Sequence, residues 1–230
     1  MANKNLNISI IIPTLNEEKN LDVLLSRITN NKRLSASIKE IIVVDGYSKD
    51  KTVQVARKHS GKVLFDSKGK GSALRKGMRV AKGEIIIMMD ADLSNREKEI
   101  LLLAECIKLG YDAAFGSRFI QGGGSEDMPV LRRLGNKFFV LLVNLFWGSN
   151  YSDLCYGYRA FSQSAIKKLS LVSDGFPIET EISIKSAKKK LKVVEVPSFE
   201  KQRVHGKGKL KTFRDGIRIF SWLIREIMHP

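Results

Sequence analysis

The alternation of short apolar runs with amphipathic segments most restricts the fold that this chain can adopt. Four runs have the length and β-branched content of buried strands: residues 8–12, 40–45, 63–65 and 84–89. Segments with the apolar spacing of a helix lie between them, and the first begins near Asn16, which we expect to cap it. Strands that alternate with helices usually pair in parallel. The pattern therefore predicts an α/β fold with a doubly wound, mostly parallel central sheet and helices on both of its faces.

Polar residues follow three of these predicted strands. Pro13 ends the first run and Glu17 comes shortly after it, Asp45 ends the second run, and Asp90 and Asp92 follow the fourth. Neighbouring ends of parallel strands face one crevice, where open α/β sheets bind ligands, so we expect the four carboxylates to share one edge. Clustered carboxylates repel one another unless a cation or hydrogen-bond donors compensate them. Asp90 and Asp92 are therefore candidate ligands for Mg²⁺ or Mn²⁺, with a further ligand such as a diphosphate completing the shell.

The second half of the chain departs from this alternation. Its predicted elements are a strand, a helix, a second helix and another strand, at residues 112–117, 130–147, 178–190 and 192–196. The helix at residues 130–147 is apolar nearly all round, and an amphipathic helix with Phe213 and Ile217 on its apolar side closes the chain. No repeat or low-complexity linker interrupts the sequence. We expect one domain over residues 1–211 and a C-terminal amphipathic helix, residues 212–230, that contacts a membrane surface.

The charge of the chain predicts anionic partners. Lys and Arg number 40 against 24 Asp and Glu, a formal net charge of +16, which favours nucleic acid, an anionic membrane surface or phosphorylated substrates. The most apolar stretch, residues 138–147, is too short for a membrane span, which needs about 20 residues. The first residues lack the apolar core of a signal peptide, and Cys106 and Cys155 have no metal-ligand partner at short spacing. We therefore expect a cytoplasmic protein with two reduced cysteines.

Eight segments, taken in sequence order, resemble known glycosyltransferases. The first four are similar to family 2 glycosyltransferases with the GT-A fold: IIPTLNEEKNL, EIIVVDGYSKDKT, GKGSALRKGM and IIIMMDADLS. The later four are GSRFIQGGG, DLCYGYRAF, GFPIETEISIKSAKKKLKVVEVP and RVHGKGKL. Together they narrow the resemblance, over about residues 7–215, to the enzymes that transfer a hexose to dolichyl or polyprenyl phosphate.

The resemblance implies roles for individual residues. Glu17 and Asp45 match positions that contact the base and ribose of a nucleotide-sugar, and Asp90 and Asp92 match the metal-binding pair. Ser94, a weaker ligand, stands where the family often has Gln, and Gly46 stands where it commonly has a second Asp. The expected metal ligands are Asp90, Asp92 and Ser94. The residues expected to bind the nucleotide-sugar are Pro13, Asn16, Glu17, Asp45, Lys70 and Asp90.

Four basic residues also match the family pattern. Arg118 matches the Arg of the GSR motif, and Arg132 matches the basic residue after the glycine-rich loop. Arg203 and Lys209 match a mobile basic loop that closes over the donor diphosphate and the acceptor phosphate. The residues expected to be catalytic are therefore Asp90, Asp92, Arg118, Arg132, Arg203 and Lys209.

The implied reaction is an inverting transfer of a hexose from a GDP-mannose- or UDP-glucose-type donor to a polyprenyl or dolichyl phosphate. A phosphate acceptor is already anionic near neutral pH, so it needs no general base but does need cations beside the diphosphate. The apolar helix at residues 130–147 and the final helix, with Trp222, favour peripheral association with the cytoplasmic face of a membrane. A membrane-protein partner is compatible with this expectation.

Other interpretations of the same residues stay open at this point. A soluble enzyme acting on a sugar hydroxyl would need a general base, for which Glu126 and Asp127 are candidates. A sugar-1-phosphate nucleotidyltransferase would need a glycine-rich signature after the first strand, where residues 13–16 are Pro-Thr-Leu-Asn. A nucleic-acid-binding module is motivated by charge alone, and no nucleic-acid motif is present, so we expect no specific nucleic-acid partner. Residues 69–71, which precede a helix, fit either a phosphate-binding loop or a plain tight turn, and Arg159 fits either an acceptor ligand or a structural ion pair.

Overall fold

The computed structural model describes residues 6–59, 61–206 and 212–228. Its strands, in chain order, are β1 (Ile8–Thr14), β2 (Ile38–Asp45), β3 (Lys62–Phe65), β4 (Ile85–Met88), β5 (Ala113–Ser117), β6 (Gly124–Ser125), β7 (Arg159–Ser162), β8 (Val193–Pro197) and β9 (Phe199–Glu200). Its helices are α1 (Glu18–Asn30), α2 (Lys32–Ser35), α3 (Thr52–Lys58), α4 (Lys70–Val80), α5 (Glu99–Lys108), α6 (Val130–Trp147), α7 (Gln163–Leu169), α8 (Ile178–Lys188) and α9 (Thr212–Met228). Every strand and helix predicted from the sequence is present, with small differences at the ends.

The main sheet has the strand order β3-β2-β1-β4-β7-β5-β8. Strands β1, β2, β3 and β4 pair in parallel, and β5 pairs in parallel with β8. Strand β7 runs antiparallel between β4 and β5, so it joins the two parallel groups. The predicted α/β fold with a mostly parallel, doubly wound sheet is confirmed.

Both faces of the sheet are covered by helices, as β1 illustrates. Ile10 and Ile12 point into the core that α1 and α5 cover, with Leu21 and Leu24 of α1 among the buried residues. Ile11 points into the opposite core, which α4, α6 and α8 cover. Because all three isoleucines are fully buried, each stabilises the fold by about 1.5–3 kcal/mol. The continuous apolar run of this strand follows from burial on both faces.

Two local predictions at the end of β1 are wrong. The strand does not end at Pro13 but continues to Thr14, with Pro13 opposite Val44 of β2. Pro13 is tolerated because β4 pairs with β1 only as far as Ile11, so the missing N–H removes no ladder bond on that side. Asn16 does not cap α1, which begins at Glu18 after an N-cap at Glu17. Asn16 instead has a left-handed φ of 52° and accepts a hydrogen bond from the amide of Lys49.

The two helices that the sequence singles out as apolar, α6 and α9, pack against each other and against α8. Ile219 and Leu223 of α9 are buried in the second core cluster, so α9 is part of that core. Phe213 and Ile217, the apolar positions predicted from the sequence, lie on the exposed side of the helix instead. A domain boundary between residues 211 and 212 stays a prediction. Within the described ranges no helix combines the length and apolar character needed to cross a bilayer.

Candidate functional site

A cavity of about 780 Å³ opens at the carboxyl ends of β1, β2 and β4. It is lined by Pro13 near the end of β1 and by residues that follow these strands, among them Glu17, Asp90, Asp92 and Ser94. Parallel pairing explains why they meet: Thr14 lies opposite Asp45, and Ile11 lies opposite Met88. The edge predicted from the sequence to hold the carboxylates therefore borders one cavity, which we call the carboxylate crevice.

Asp90 is paired with a lysine from the start of α4. The Nζ atom of Lys70 lies 2.7 Å from Oδ1 of Asp90 and 2.8 Å from Oε1 of Glu179 on α8. Burial alone would lower the pKa of Lys70, but the two carboxylates outweigh it and hold the pKa above its ordinary value. Lys70 therefore stays protonated and joins the end of β4 to α8.

Gly157 leaves the space that this three-residue contact needs. A Cβ atom at position 157 would lie 3.0 Å from Nζ of Lys70, 3.2 Å from Oε1 of Glu179 and 3.5 Å from Oδ2 of Asp90. Any side chain there would meet the charged ends of Lys70 and Glu179. A larger residue at this position would therefore displace these charged ends by a few tenths of an ångström.

Asp92 is paired with an arginine from a distant segment. Arg203 donates to Oδ2 of Asp92 at 2.7 Å and to Oε1 of Glu17 at 3.0 Å. Burial and the neighbouring Asp90 raise the pKa of Asp92, although a hydrogen bond from Ser94 and the charge of Arg203 oppose this shift. A guanidinium thus joins the ends of β1 and β4.

Residues 201–206, which we call the strap, carry Arg203 across the crevice. Three further hydrogen bonds hold the strap. The amides of Lys201 and Gln202 donate to the carbonyl of Ser94 at 2.9 Å and to Oε2 of Glu126 at 3.2 Å, and the carbonyl of His205 accepts from Nδ2 of Asn20 at 3.0 Å. Lys209, predicted to act with Arg203, lies outside the described residues. The basic segment predicted from the sequence therefore reaches the crevice through Arg203.

Asp45 is fully buried beside the crevice and organises the turn that follows β2. Its carboxylate accepts hydrogen bonds from Oγ1 of Thr14 at 3.1 Å and from the amide and hydroxyl of Ser48 at 2.7 and 2.6 Å. Tyr47 in this turn has a left-handed φ of 63° and packs against Phe65, with ring centroids 5.5 Å apart and the rings tilted by 36°. Its neighbours Val44 and Gly46 line the cavity. The predicted contact of Asp45 with a nucleoside stays a prediction.

Arg118 is buried in a cluster of carboxylates. Its Nε atom lies 2.7 Å from Oδ2 of Asp153, and its NH1 atom lies 3.1 Å from Oε2 of Glu200. Burial alone would lower the pKa of Arg118, but Asp153 and Glu200 raise it above its ordinary value. The guanidinium also lies 4.7 Å from the ring centroid of Tyr156. Arg118 lines the cavity with its charge compensated twice.

The remaining predicted cations and the missed residues complete the site. Arg132 lines the cavity from the start of α6. Glu179, Asp153 and Glu200 were not predicted, although Glu179 and Asp153 lie in segments that carry the family resemblance. Arg159 is fully buried and donates to backbone carbonyls and to Ser183, so its role here is structural. The acidic residues Glu179 and Asp153 within those segments were the signal that sequence reasoning overlooked.

The residues at the crevice fit a hard divalent cation that is shared with a phosphate ligand. The oxygen donors are the carboxylates of Asp90 and Asp92 and the hydroxyl of Ser94. Within the described residues no group of three acidic, histidine or cysteine side chains is arranged to hold a metal alone. Two carboxylates with phosphate oxygens and water would complete the shell of Mg²⁺ or Mn²⁺. Burial and, after it, the negative charge of Asp90 raise the pKa of Asp92, and such a cation would neutralise the two neighbouring carboxylates.

Comparisons with known proteins agree with this arrangement. Residues 9–170 match the model of the family Glycosyl transferase family 2. A dolichol-phosphate mannosyltransferase from Pyrococcus furiosus is 38% identical over 224 residues, which cover 94% of this chain and 61% of that enzyme. Glycosyltransferase AglJ from Haloferax volcanii is 29% identical over 95% of this chain and 71% of that protein. The chain thus spans about three fifths of the length of the Pyrococcus enzyme.

A solved structure shows the same fold. Glucosyl-3-phosphoglycerate synthase from Mycobacterium tuberculosis, in a complex with Mn²⁺, uridine diphosphate and glucosyl-3-phosphoglycerate, superposes with a TM-score of 0.75. The alignment covers 98% of this chain and 81% of that chain at 19% identity. The GT-A fold expected from the sequence motifs is therefore confirmed.

Proposed function

This chain belongs to glycosyl transferase family 2, and we propose that it transfers a hexose from a nucleotide-sugar to a polyprenyl or dolichyl phosphate at a membrane surface. The transfer inverts the configuration at the anomeric carbon. The donor is of the GDP-mannose or UDP-glucose type, and the divalent cation is Mg²⁺ or Mn²⁺. The name of the Pyrococcus relative supports the lipid-phosphate acceptor, and the Mn²⁺–uridine diphosphate complex of the mycobacterial synthase supports the metal and the nucleotide.

The two ends of the cavity differ in chemistry, and this observation carries the proposal. One end holds the charged groups around Asp90 and Asp92. The other end reaches α6 and α9, whose contribution to the wall is largely apolar: Leu131, Phe138, Phe139, Phe213, Ile217 and Phe220. The diphosphate of a nucleotide-sugar fits the charged end. A lipid phosphate fits both parts, with its phosphate near the charged groups and its hydrocarbon chain along the apolar wall.

The charges around the crevice suit a phosphate acceptor. An oxygen of the acceptor phosphate attacks the anomeric carbon while the bond from that carbon to the departing diphosphate breaks. The acceptor oxygen carries no proton to remove, so the site needs positive charge to hold two anions side by side. Arg132 and Arg203 line the same cavity and meet that need. A divalent cation on Asp90 and Asp92 would stabilise the charge that develops on the departing diphosphate.

The exposed sides of α6 and α9, which include five residues of the apolar cavity wall, support a membrane location. Seven large apolar residues of α6 and five of α9 are exposed: Val130, Leu131, Leu134, Phe138, Leu141, Leu145, Phe146, Phe213, Ile217, Phe220, Ile224 and Met228. The rings of Phe138 and Phe220 lie 6.2 Å apart, so the two helices form one surface, which we call the outer apolar face. Such a patch is unusual on a soluble monomer. We expect it to lie in the membrane interface on the cytoplasmic side, alone or against a membrane-protein partner.

A transfer assay tests the reaction. The protein is incubated with radiolabelled GDP-mannose or UDP-glucose and a short polyprenyl phosphate, with Mn²⁺ or with EDTA, and the organic phase is counted. We expect metal-dependent label in the organic phase with one donor. A matched reaction with polyprenol, which lacks the phosphate, should give none. Equal transfer to polyprenol and to polyprenyl phosphate would refute the lipid-phosphate acceptor.

A soluble enzyme that glycosylates a sugar hydroxyl is the second candidate. Asp127 lines the cavity and is a possible general base, whereas the carboxylate of Glu126 accepts a hydrogen bond from the amide of Gln202. Asp127→Asn should abolish transfer to a hydroxyl acceptor, with Glu126→Gln as the matched control. If Asp127→Asn leaves turnover unchanged, the phosphate acceptor is favoured, because it needs no base.

A further inference from the structure

A second pocket, of about 340 Å³, shares no lining residue with the carboxylate crevice and is lined by charged residues: Arg27, Arg96, Glu97, Lys98 and Lys201. Four positive charges thus face one negative charge. The closest ion pair among them joins Arg27 and Glu97 at 4.0 Å, and the side chain of Arg27 is 46% exposed. Such a pair contributes little, so the pocket keeps an excess of positive charge.

Arg96 is the most constrained of the four cations. Its carbonyl accepts hydrogen bonds from the hydroxyl of Tyr158 at 2.9 Å and the amide of Glu99 at 3.0 Å, which fix its backbone. Its guanidinium lies 4.4 Å from the ring centroid of Phe199. The Nε atom is buried and has no hydrogen-bond partner among the described residues. A buried donor without a partner is costly unless a ligand supplies an acceptor.

The other cations come from three separate segments. Arg27 lies in the last turn of α1, Lys98 directly precedes α5, and Lys201 opens the strap. Lys98 and Lys201 are exposed and form no ion pair within the part of the chain that the structure describes. The positive end of the α5 dipole adds to their charge. Like charges brought together from distant segments are destabilising unless an anion compensates them.

We propose that this pocket binds a small phosphate-bearing anion, with Arg96 and Lys201 as its main ligands. A diphosphate matches the charge better than a monovalent anion, because four cations face one carboxylate. The volume of the pocket accommodates more than one phosphate group. Guanidinium and ammonium groups are the usual side-chain ligands for such anions. The site is independent of the donor and acceptor proposed for the carboxylate crevice.

Binding is measured on the intact protein in EDTA with inorganic pyrophosphate, inorganic phosphate and a nucleoside diphosphate as separate probes. The readout is the side-chain Nε–H nuclear magnetic resonance signal of Arg96, identified by its loss in Arg96→Lys. We expect this signal to shift on titration with pyrophosphate, and to shift less with phosphate. An equal shift with the nucleoside diphosphate would identify the diphosphate group as the part recognised.

Variants separate this pocket from the crevice and from general charge effects. Arg203→Gln removes a cation of the crevice, and the Arg96 signal should still shift in that variant. Arg96→Gln with Lys201→Gln should weaken pyrophosphate binding at least tenfold by calorimetry, whereas Arg33→Gln with Lys39→Gln, which removes two exposed charges elsewhere, should not. An Arg96 signal that stays in place in the wild type, or an equal loss in the two double variants, would overturn the proposal.

Discussion

The carboxylate crevice and the outer apolar face differ in whether their side chains have partners within the protein. In the crevice every described carboxylate of the lip has a specific partner: Lys70 for Asp90, Arg203 for Asp92 and Glu17, and Thr14 with Ser48 for Asp45. On the outer apolar face large side chains such as Leu141 and Leu145 are 64% and 72% exposed, with no covering element in the described chain. The crevice is thus organised before any ligand arrives, whereas the outer apolar face has no covering partner within the described chain.

The largest expected effect concerns the crevice. Asp90→Asn with Asp92→Asn should lower kcat/KM by roughly 1,000-fold or more, because charge developing on the departing diphosphate loses its metal. Binding to anionic vesicles should be unchanged, since the outer apolar face is intact. Steady-state transfer assays and vesicle sedimentation give the two measurements. Asp22→Asn, at an exposed carboxylate paired with His59, is the control. Normal turnover of the double variant would contradict the assigned role of the crevice.

The next largest effect is on the free energy of unfolding and concerns the carboxylate partners of Arg118. Asp153→Ala leaves the buried Arg118 with one carboxylate partner instead of two, and should lower the free energy of unfolding by about 3–5 kcal/mol. Urea denaturation measures this loss. Glu105→Ala, which breaks the exposed pair with Lys108, should cost less than about 1 kcal/mol. Similar losses in the two variants would show that the Arg118 cluster does not support the fold.

The next effect concerns the outer apolar face. Leu141→Glu with Leu145→Glu should weaken binding to anionic vesicles roughly 100-fold, because burying each leucine contributes about 1.5–3 kcal/mol. The affinity for a nucleoside diphosphate should stay the same. Vesicle sedimentation and calorimetry measure the two properties. Leu102→Glu with Leu109→Glu changes two exposed leucines on the other side of the molecule and should leave both unchanged. Unchanged vesicle binding by the variant with both Leu141→Glu and Leu145→Glu would contradict a membrane role for α6.

The smallest expected effect is a pH dependence of the folding stability. It arises from Glu195, which lies beside Asp153, the partner of Arg118. Burial raises the pKa of Glu195 above its ordinary value of 4.5, against hydrogen bonds from the amides of Ser152 and Asp153. A carboxyl whose pKa is raised by folding contributes stability that is present below pH 4.5 and lost as pH rises through the higher folded pKa. The Glu195→Gln variant has no titratable carboxyl at this position, so its stability does not fall in this way as pH rises. The stability of Glu195→Gln relative to wild type should therefore rise from pH 4 to pH 7, by about 1 kcal/mol or less. Exposed Glu84→Gln should show no such trend in urea denaturation.

The sequence predicted the fold better than it predicted the site. Apart from the end of β1, the strands and the carboxylates that follow them were placed correctly, because apolar runs and the acidic residues after them are local in sequence. The antiparallel direction of β7 between β4 and β5 was not predicted, since strand order depends on packing of the whole chain. Asn16 is of a residue type that often caps helices. Its side-chain oxygen instead accepts a hydrogen bond from the amide of Lys49, in the loop after β2.

The partners of the charged residues depend on contacts between distant segments. Arg203 meets Asp92 across 111 positions and Glu17 across 186, and no local pattern signals such pairs. Arg118 was expected to act on phosphates, and the structure adds that Asp153 and Glu200 already hold its guanidinium. Which of these residues touch substrate stays a prediction.

The size of the residue at position 157 can change the charged contacts of the crevice, although this residue is itself not ionisable. The smallest added side chain, a methyl, would act as a wedge between the ammonium of Lys70 and the carboxylate of Glu179. Natural variation at this position can therefore retune the electrostatics of the pocket while every acid and base is retained. A survey of related enzymes that follows only charged positions would overlook such divergence.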